Sequence, residues 1–182
     1  MFGLNMVVNK GRTVFIGDTN VHEYPTSEQM AQIAISAARV VRLFGFDPKI
    51  AFLSHSTFGQ PLTSRTKHIR DAVSILKNKK VDFKFDGDMQ PDVALNEEYK
   101  ELYPFSEIVG NANVLIMPGQ HSAAISHKIM KTLGGAKVIG PLLIGLGGAI
   151  EIAPLRSSTS DILNLASVAA YSAGVIDYKK KN

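Results

Sequence analysis

The chain has 182 residues, 45% apolar and 20% charged, with a formal net charge of +4 and no cysteine. That is enough apolar material to bury one core and at most a small appendage, and it excludes a disordered chain, which would be poorer in apolar residues and more lopsided in charge. The missing cysteines exclude disulfides, thiolate catalysis and cysteine-ligated metals, and they fit a reducing cytoplasm.

The aromatic residues are scattered instead of interleaved with Arg and Lys, so no base-stacking platform and no nucleic-acid partner is expected. The basic run Lys179, Lys180, Lys181 reads as a solvated tail. The start, MFGLNMVVNKGR, lacks the apolar core of a signal peptide. The most apolar stretch, Val138 to Leu155, holds Pro141, Pro154, Glu151 and four glycines, so it is no membrane span. A soluble cytoplasmic protein without a membrane partner is the expectation.

In chain order, Thr13 to Ile16 reads as a strand. Thr26 with Gln29 forms a capping box for a helix whose apolar stripe is Met30, Ile33, Ala34, Ala37, Ala38 and Val41, ending near Gly45. Lys49 to Leu53 is a buried strand, and a helix follows over Ser64 to Lys77. Val81 to Phe85 alternates with period two, as a half-exposed strand does. A short helix is expected over Asn96 to Tyr103, a strand over Val114 to Met117, and a helix over Ser122 to Leu133. Lys137 to Ile144 is a strand region, and Ser158 caps a last helix. This alternation means an α/β fold with a mostly parallel sheet and helices on both faces. In such sheets ligands gather at the C-terminal ends of the strands.

Four loops there carry polar chemistry. Ser54, Ser56, Thr57 and Gly59 follow a strand and precede a helix, a composition that suits an anion, though an ordinary capping loop has it too. Asp86, Asp88 and Asp92 crowd one segment, but Pro91 stands where a calcium loop needs its turn glycine, so no metal is expected. His121 opens a helix as a base, a donor or a simple cap. Gly145, Gly147 and Gly148 permit close approach of a ligand, Arg156 can fork onto a phosphate, and Asp161 can complete a capping box with Ser158.

The segments FGFDPKIAFLSHSTFG (44–59), DGDMQPDVAL (86–95), ANVLIMPG (112–119), KTLGGAKVIGPLLIGL (131–146) and STSDILNLASVAAY (158–171) occur in an order that resembles the phosphate acetyltransferases. The details DTNVHEYPT, LSHSTFGQP, VDFKFDGDMQPDVALN and VIGPLLIGL are more similar to the phosphotransacetylase-like C-terminal domain of long bacterial NADP-dependent malic enzymes. The resemblance implies an N-terminal extension (1–12), a domain (13–176) corresponding to the later half of that module, and a basic tail (177–182). It further implies an architecture resembling isocitrate dehydrogenase, a homodimer or higher homo-oligomer, and acetyl-CoA or an acyl phosphate as ligand. NADP and a divalent metal are expected only in a malic enzyme catalytic domain outside this sequence.

Active members of the family carry a Ser-Arg pair that holds acetyl phosphate and an Asp proposed to help deprotonate CoA. Counted without gaps from Gly140, these positions are Pro154, Leu155 and Asp161. Arg156 lies one residue late, and Gly148-Ala149 replaces a Lys-Pro. Loss of an oxyanion stabiliser lowers rates by about 10²–10³-fold. The expectation is therefore a regulatory and oligomerising module that senses acetyl-CoA through Ser54, Ser56, Thr57, Gly59, Gly145, Arg156 and Ser158, and is not catalytic by itself. One alternative is an active phosphate acetyltransferase with Asp161 as base. The other is a purely structural dimerisation unit.

Overall fold

The computed structural model describes residues 1–181, with all their side chains except those of Lys100 and 175–181. Six strands form one sheet: β1 (Phe2–Asn9), β2 (Arg12–Gly17), β3 (Lys49–Leu53), β4 (Lys84–Met89), β5 (Val114–Ile116) and β6 (Lys137–Ile144), in the order β4-β3-β5-β2-β1-β6. Only β1 runs against the rest, being antiparallel to both β2 and β6, while β2, β5, β3 and β4 pair in parallel. The sheet is thus mixed and mostly parallel, as its strand–helix alternation predicts.

Side chains alternate across it. Phe15, Ile50, Phe52, Val114 and Ile116 enter one core with α1 (Ser27–Leu43), α2 (Ser64–Lys79) and Leu165 of α5 (Thr159–Lys181). Ile16, Ala51, Leu53 and Leu115 enter a second core with α3 (Pro91–Leu95) and α4 (Gln120–Thr132). Helices therefore cover both faces, which is what near-continuous apolar strands require.

The helix starts follow local chemistry. Thr26 accepts from the Gln29 N–H while the Gln29 side chain accepts from the Thr26 N–H, the reciprocal cap its sequence predicts. Thr63 and Thr66 repeat the device at α2.

Three expectations change. Residues 1–12 are no extension: Phe2, Leu4, Met6 and Val7 are buried, and β1 pairs along both its edges. The strand read at Val81 to Phe85 starts at Lys84, where pairing with Lys49 begins, and runs on through Asp86, Gly87 and Asp88. It passes so near β3 that a Cβ on Gly87 would lie 2.7 Å from the Phe52 backbone oxygen. The helix expected over 96–103 is a 3₁₀ helix over Glu97–Leu102, and the sequence reading missed the short α3 before it, which Pro91 opens and extended Asn96 ends. The backbone of α5 continues through Lys181; the side chains of the terminal lysine run, and residue 182, lie outside the described residues.

Candidate functional site

Adjacent strands β3 and β5 lead into helices on opposite faces, α2 on one and α4 on the other. Such a switch point opens a crevice at the strands' C-terminal ends. A cavity of about 630 Å³ lies there. Its buried wall is Leu53, Ile69 and Met117, and Ser54 and His55 enter from the loop after β3. Arg65 and His68 come from α2, His121, Ser122 and Ser126 from α4, and Glu23 and Tyr24 from the β2–α1 loop.

That last loop is fixed by Asp18, which is buried at the end of β2. Its carboxylate accepts from the backbone N–H groups of Gly3, Asn20, Val21 and His22, and contacts His22 Nδ1 at 2.6 Å. His68 bridges the loop to α2. Its Nε2 donates to the Pro25 carbonyl at 2.7 Å, its Nδ1 lies 3.0 Å from Ser27 Oγ, and its ring stacks on Tyr24 with centroids 5.5 Å apart. His121 is exposed at the mouth, 3.9 Å from Glu23.

The hydroxyl loop divides between cavity and interior. Ser54 faces the cavity, whereas Ser56 is fully buried and donates to the Asp88 carboxylate. Thr57 Oγ1 accepts from the Gln90 N–H at 3.2 Å, tying the loop to the end of β4. Gly59 has φ 89°, and a Cβ there would sit 3.1 Å from Arg70 Nη1, itself 3.8 Å from Asp88. Only Gly fits that conformation without strain. The carboxylates of the Asp86–Asp92 segment are engaged locally: Asp86 accepts from Gly87 and Glu107 N–H groups, and Asp92 from Val93. Among the described residues, no three His, Cys, Asp or Glu side chains gather as a metal site.

Gly145, Arg156, Ser158 and Asp161 lie elsewhere: past Gly145 the chain turns back antiparallel to β6, Glu151 bridging Leu142, and Asp161 comes near Lys131 and Lys137, the latter at the start of that strand. Gly145 follows β6 beside Met1 with φ 89°. Four strand spacings separate β3 from β6, about 19 Å, and none of these four residues lines the cavity. The turn from Pro154 to Ser157 is closed by the Ser157 N–H on the Pro154 carbonyl at 2.9 Å, with Leu155 and Arg156 exposed at its centre. Asp161 accepts from the Ser158 N–H at 3.0 Å and hydroxyl at 2.8 Å, and the Ser158 backbone bond chiefly, then the hydroxyl, hold its carboxyl below its usual value. Glu151, bridged to Leu142 and bonded by the Leu143 N–H at 3.3 Å, is pushed up to about 7 by burial.

The structure thus groups Ser54 with His55, Arg65, His68, Tyr24 and Ser122, and leaves the later cluster separate. Sequence reasoning missed Arg65, His68 and Tyr24. A signal existed in the helical spacing of Arg65, His68 and Ile69, which shares one face just after a hydroxyl-rich loop.

Residues 1–170 match the family described as phosphate acetyl/butaryl transferase. The chain is 48% identical over 174 residues to an NADP-dependent malic enzyme of Rhizobium meliloti, covering 96% of this chain and 23% of that protein. It is 32% identical to the phosphate acetyltransferase of Bacillus subtilis, over 92% of this chain and 52% of that one. A solved phosphotransacetylase from Streptococcus pyogenes superposes with a TM-score of 0.89 at 31% identity, over 94% of this chain and 53% of its own. The chain therefore spans about a quarter to a half of the length of these relatives. No described helix is long and apolar enough to cross a membrane.

Proposed function

The chain belongs to the phosphate acetyl/butaryl transferase family, and from that membership we propose that it is an acetyl-CoA-sensing regulatory module of an NADP-dependent malic enzyme in the cytoplasm. The observation that carries this reading is the turn at Pro154–Ser157. Where the resemblance assigns a hydroxyl and a cation to the acyl phosphate, this chain has Pro154 and a fully exposed Leu155. Neither side chain offers a hydrogen bond to an oxyanion. Arg156 is set on an exposed turn, and Asp161 is held by Ser158 as a helix cap. The switch-point cavity keeps groups that suit a CoA ester, with Arg65 and two histidines near its mouth and an apolar wall below.

Binding without turnover follows. Calorimetric titration of the chain with acetyl-CoA should give saturable heat, and a phosphate-dependent acyl-transfer assay should give none above the uncatalysed rate. Steady exchange of acetyl-CoA with phosphate, abolished in Asp161→Ala, would make the chain a working acetyltransferase instead. Absence of heat at millimolar acetyl-CoA would remove the sensor reading. In the longer protein, acetyl-CoA should change malate oxidation, since a ligand that binds two states differently shifts their balance.

A structural role in assembly has its own support. Ile125, Ile129 and Leu133 are exposed in one line along α4, at 57%, 52% and 84%, spaced as one helical face. A homo-oligomer that covers this stripe would be broken into smaller species by Ile129→Glu, read by light scattering.

A further inference from the structure

We propose that Ser54 sets the specificity of the switch-point cavity as a hydrogen-bond acceptor, reading an amide N–H on a neutral arm of the ligand and not a phosphate oxygen. This rests on the reading that the cavity takes a CoA ester.

The polarity of the loop is fixed from its buried end. Asp88 is 0% exposed, and its carboxylate lies beside the Arg70 guanidinium, so it only accepts. Ser56, also 0% exposed, must therefore donate its one proton to Asp88. The 3.3 Å contact between Ser54 Oγ and Ser56 Oγ then has a single consistent sense, with Ser54 donating. Ser54 Oγ also accepts from the Ser56 N–H at 3.2 Å. A hydroxyl has one proton and two lone pairs. The proton and one lone pair of Ser54 are engaged, so one lone pair remains for the cavity that Ser54 lines.

An acceptor at that depth repels phosphate and carboxylate oxygens, which only accept. It matches the N–H of an amide. The neighbouring wall agrees: Leu53, Ile69 and Met117 are 3%, 2% and 6% exposed and offer no compensation to a charge. Of the groups able to carry positive charge, Arg65, His55 and His121 are exposed at the mouth together with Glu23, and half-buried His68 is committed to the Pro25 carbonyl and Ser27. The site is therefore graded, with an anion held near the surface and a neutral amide chain directed inward to Ser54.

Two probes separate these parts: pantetheine, which carries amides and no phosphate, and inorganic phosphate. Each is titrated calorimetrically into the whole chain and its variants, with thermal unfolding as the folding control. Ser54→Ala should weaken pantetheine about tenfold and leave phosphate unchanged, and Ser54→Thr, which keeps the hydroxyl, should restore pantetheine. Arg65→Ala should do the reverse, weakening phosphate alone. Loss of phosphate affinity in Ser54→Ala, or pantetheine affinity indifferent to it, would overturn the assignment. Acetyl-CoA binding that persists unchanged in Ser54→Ala would overturn it while leaving the sensor intact. Failure of both acetyl-CoA and pantetheine to bind the unaltered chain would remove both readings together.

Discussion

The crevice between β3 and β5 and the rim beyond β6 belong to one sheet, yet the chain treats them differently. At the crevice, helices close both faces: Ile50, Phe52, Val114 and Ile116 are completely buried, and the loop after β3 is tied to β4 through Ser56, Thr57 and Asp88. Along β6 only Leu142 is buried, and Leu165 is the one buried side chain among the described residues of α5. The segment between them exposes Ile150, Ile152 and Leu155, with Leu155 wholly in solvent. Two layers of packing make a site that this chain can hold by itself. One incomplete layer leaves chemistry-bearing residues such as Arg156 and Asp161 positioned by their own turns and caps.

The sharpest way to break that contrast is to delete one apolar side chain on each side. Phe52 lies at the centre of the sheet with no exposed surface, and Phe52→Ala should cost about 3–5 kcal/mol in chemical denaturation. Leu155→Ala should change stability by less than about 0.5 kcal/mol. Similar losses from both would mean that the rim is as tightly packed as the crevice.

Matching lesions at two helix caps give a smaller effect. Thr26 and Ser158 each begin a helix with a reciprocal bond to the third residue, Gln29 and Asp161. Helix α1 buries eight residues against the sheet, so Thr26→Ala should lower global stability by about 1 kcal/mol. Ser158→Ala should leave the global midpoint in place and speed hydrogen exchange only in the first turn of α5. A global shift from Ser158→Ala would show that α5 unfolds together with the sheet.

This difference also sets what the sequence could disclose. The interval Lys49–Leu53, the Thr26 cap and the β6 limits are legible because apolar periodicity and capping chemistry are local. β1 was not legible as a core strand, since Phe2, Leu4 and Met6 acquire their meaning only when β6, more than a hundred residues later, pairs beside them. In the same way the hydroxyl loop showed which residues can bind an anion, but not that buried Asp88 would turn Ser56 inward and commit the proton of Ser54. Composition gives the available donors and acceptors; packing decides which remain free. Tyr24 and His68, 44 residues apart in sequence, meet only because α1 and α2 pack side by side.

The smallest effect distinguishes the two regions by pH. Glu151 helps hold the exposed segment to β6, and burial raises its carboxyl from 4.5 to about 7. Between those values the folded chain binds the extra proton, so stability falls as pH rises. The stabilisation is fully present below 4.5 and lost as pH passes through about 7. Asp161 works in the opposite sense, because its lowered value means that its contribution is present above 3.8 and lost as pH falls further. The two windows do not overlap, so a measurement between pH 4.5 and 7 isolates Glu151 on this rim. Glu151→Gln keeps a neutral side chain throughout. It should remove the pH dependence of the hydrogen-exchange protection at Leu143, relative to the intrinsic exchange rate, while leaving protection at Phe52 unaltered. Loss of the pH dependence at both positions would mean that the rim and the crevice open as one unit, and the separation between them would be one of exposure and not of stability.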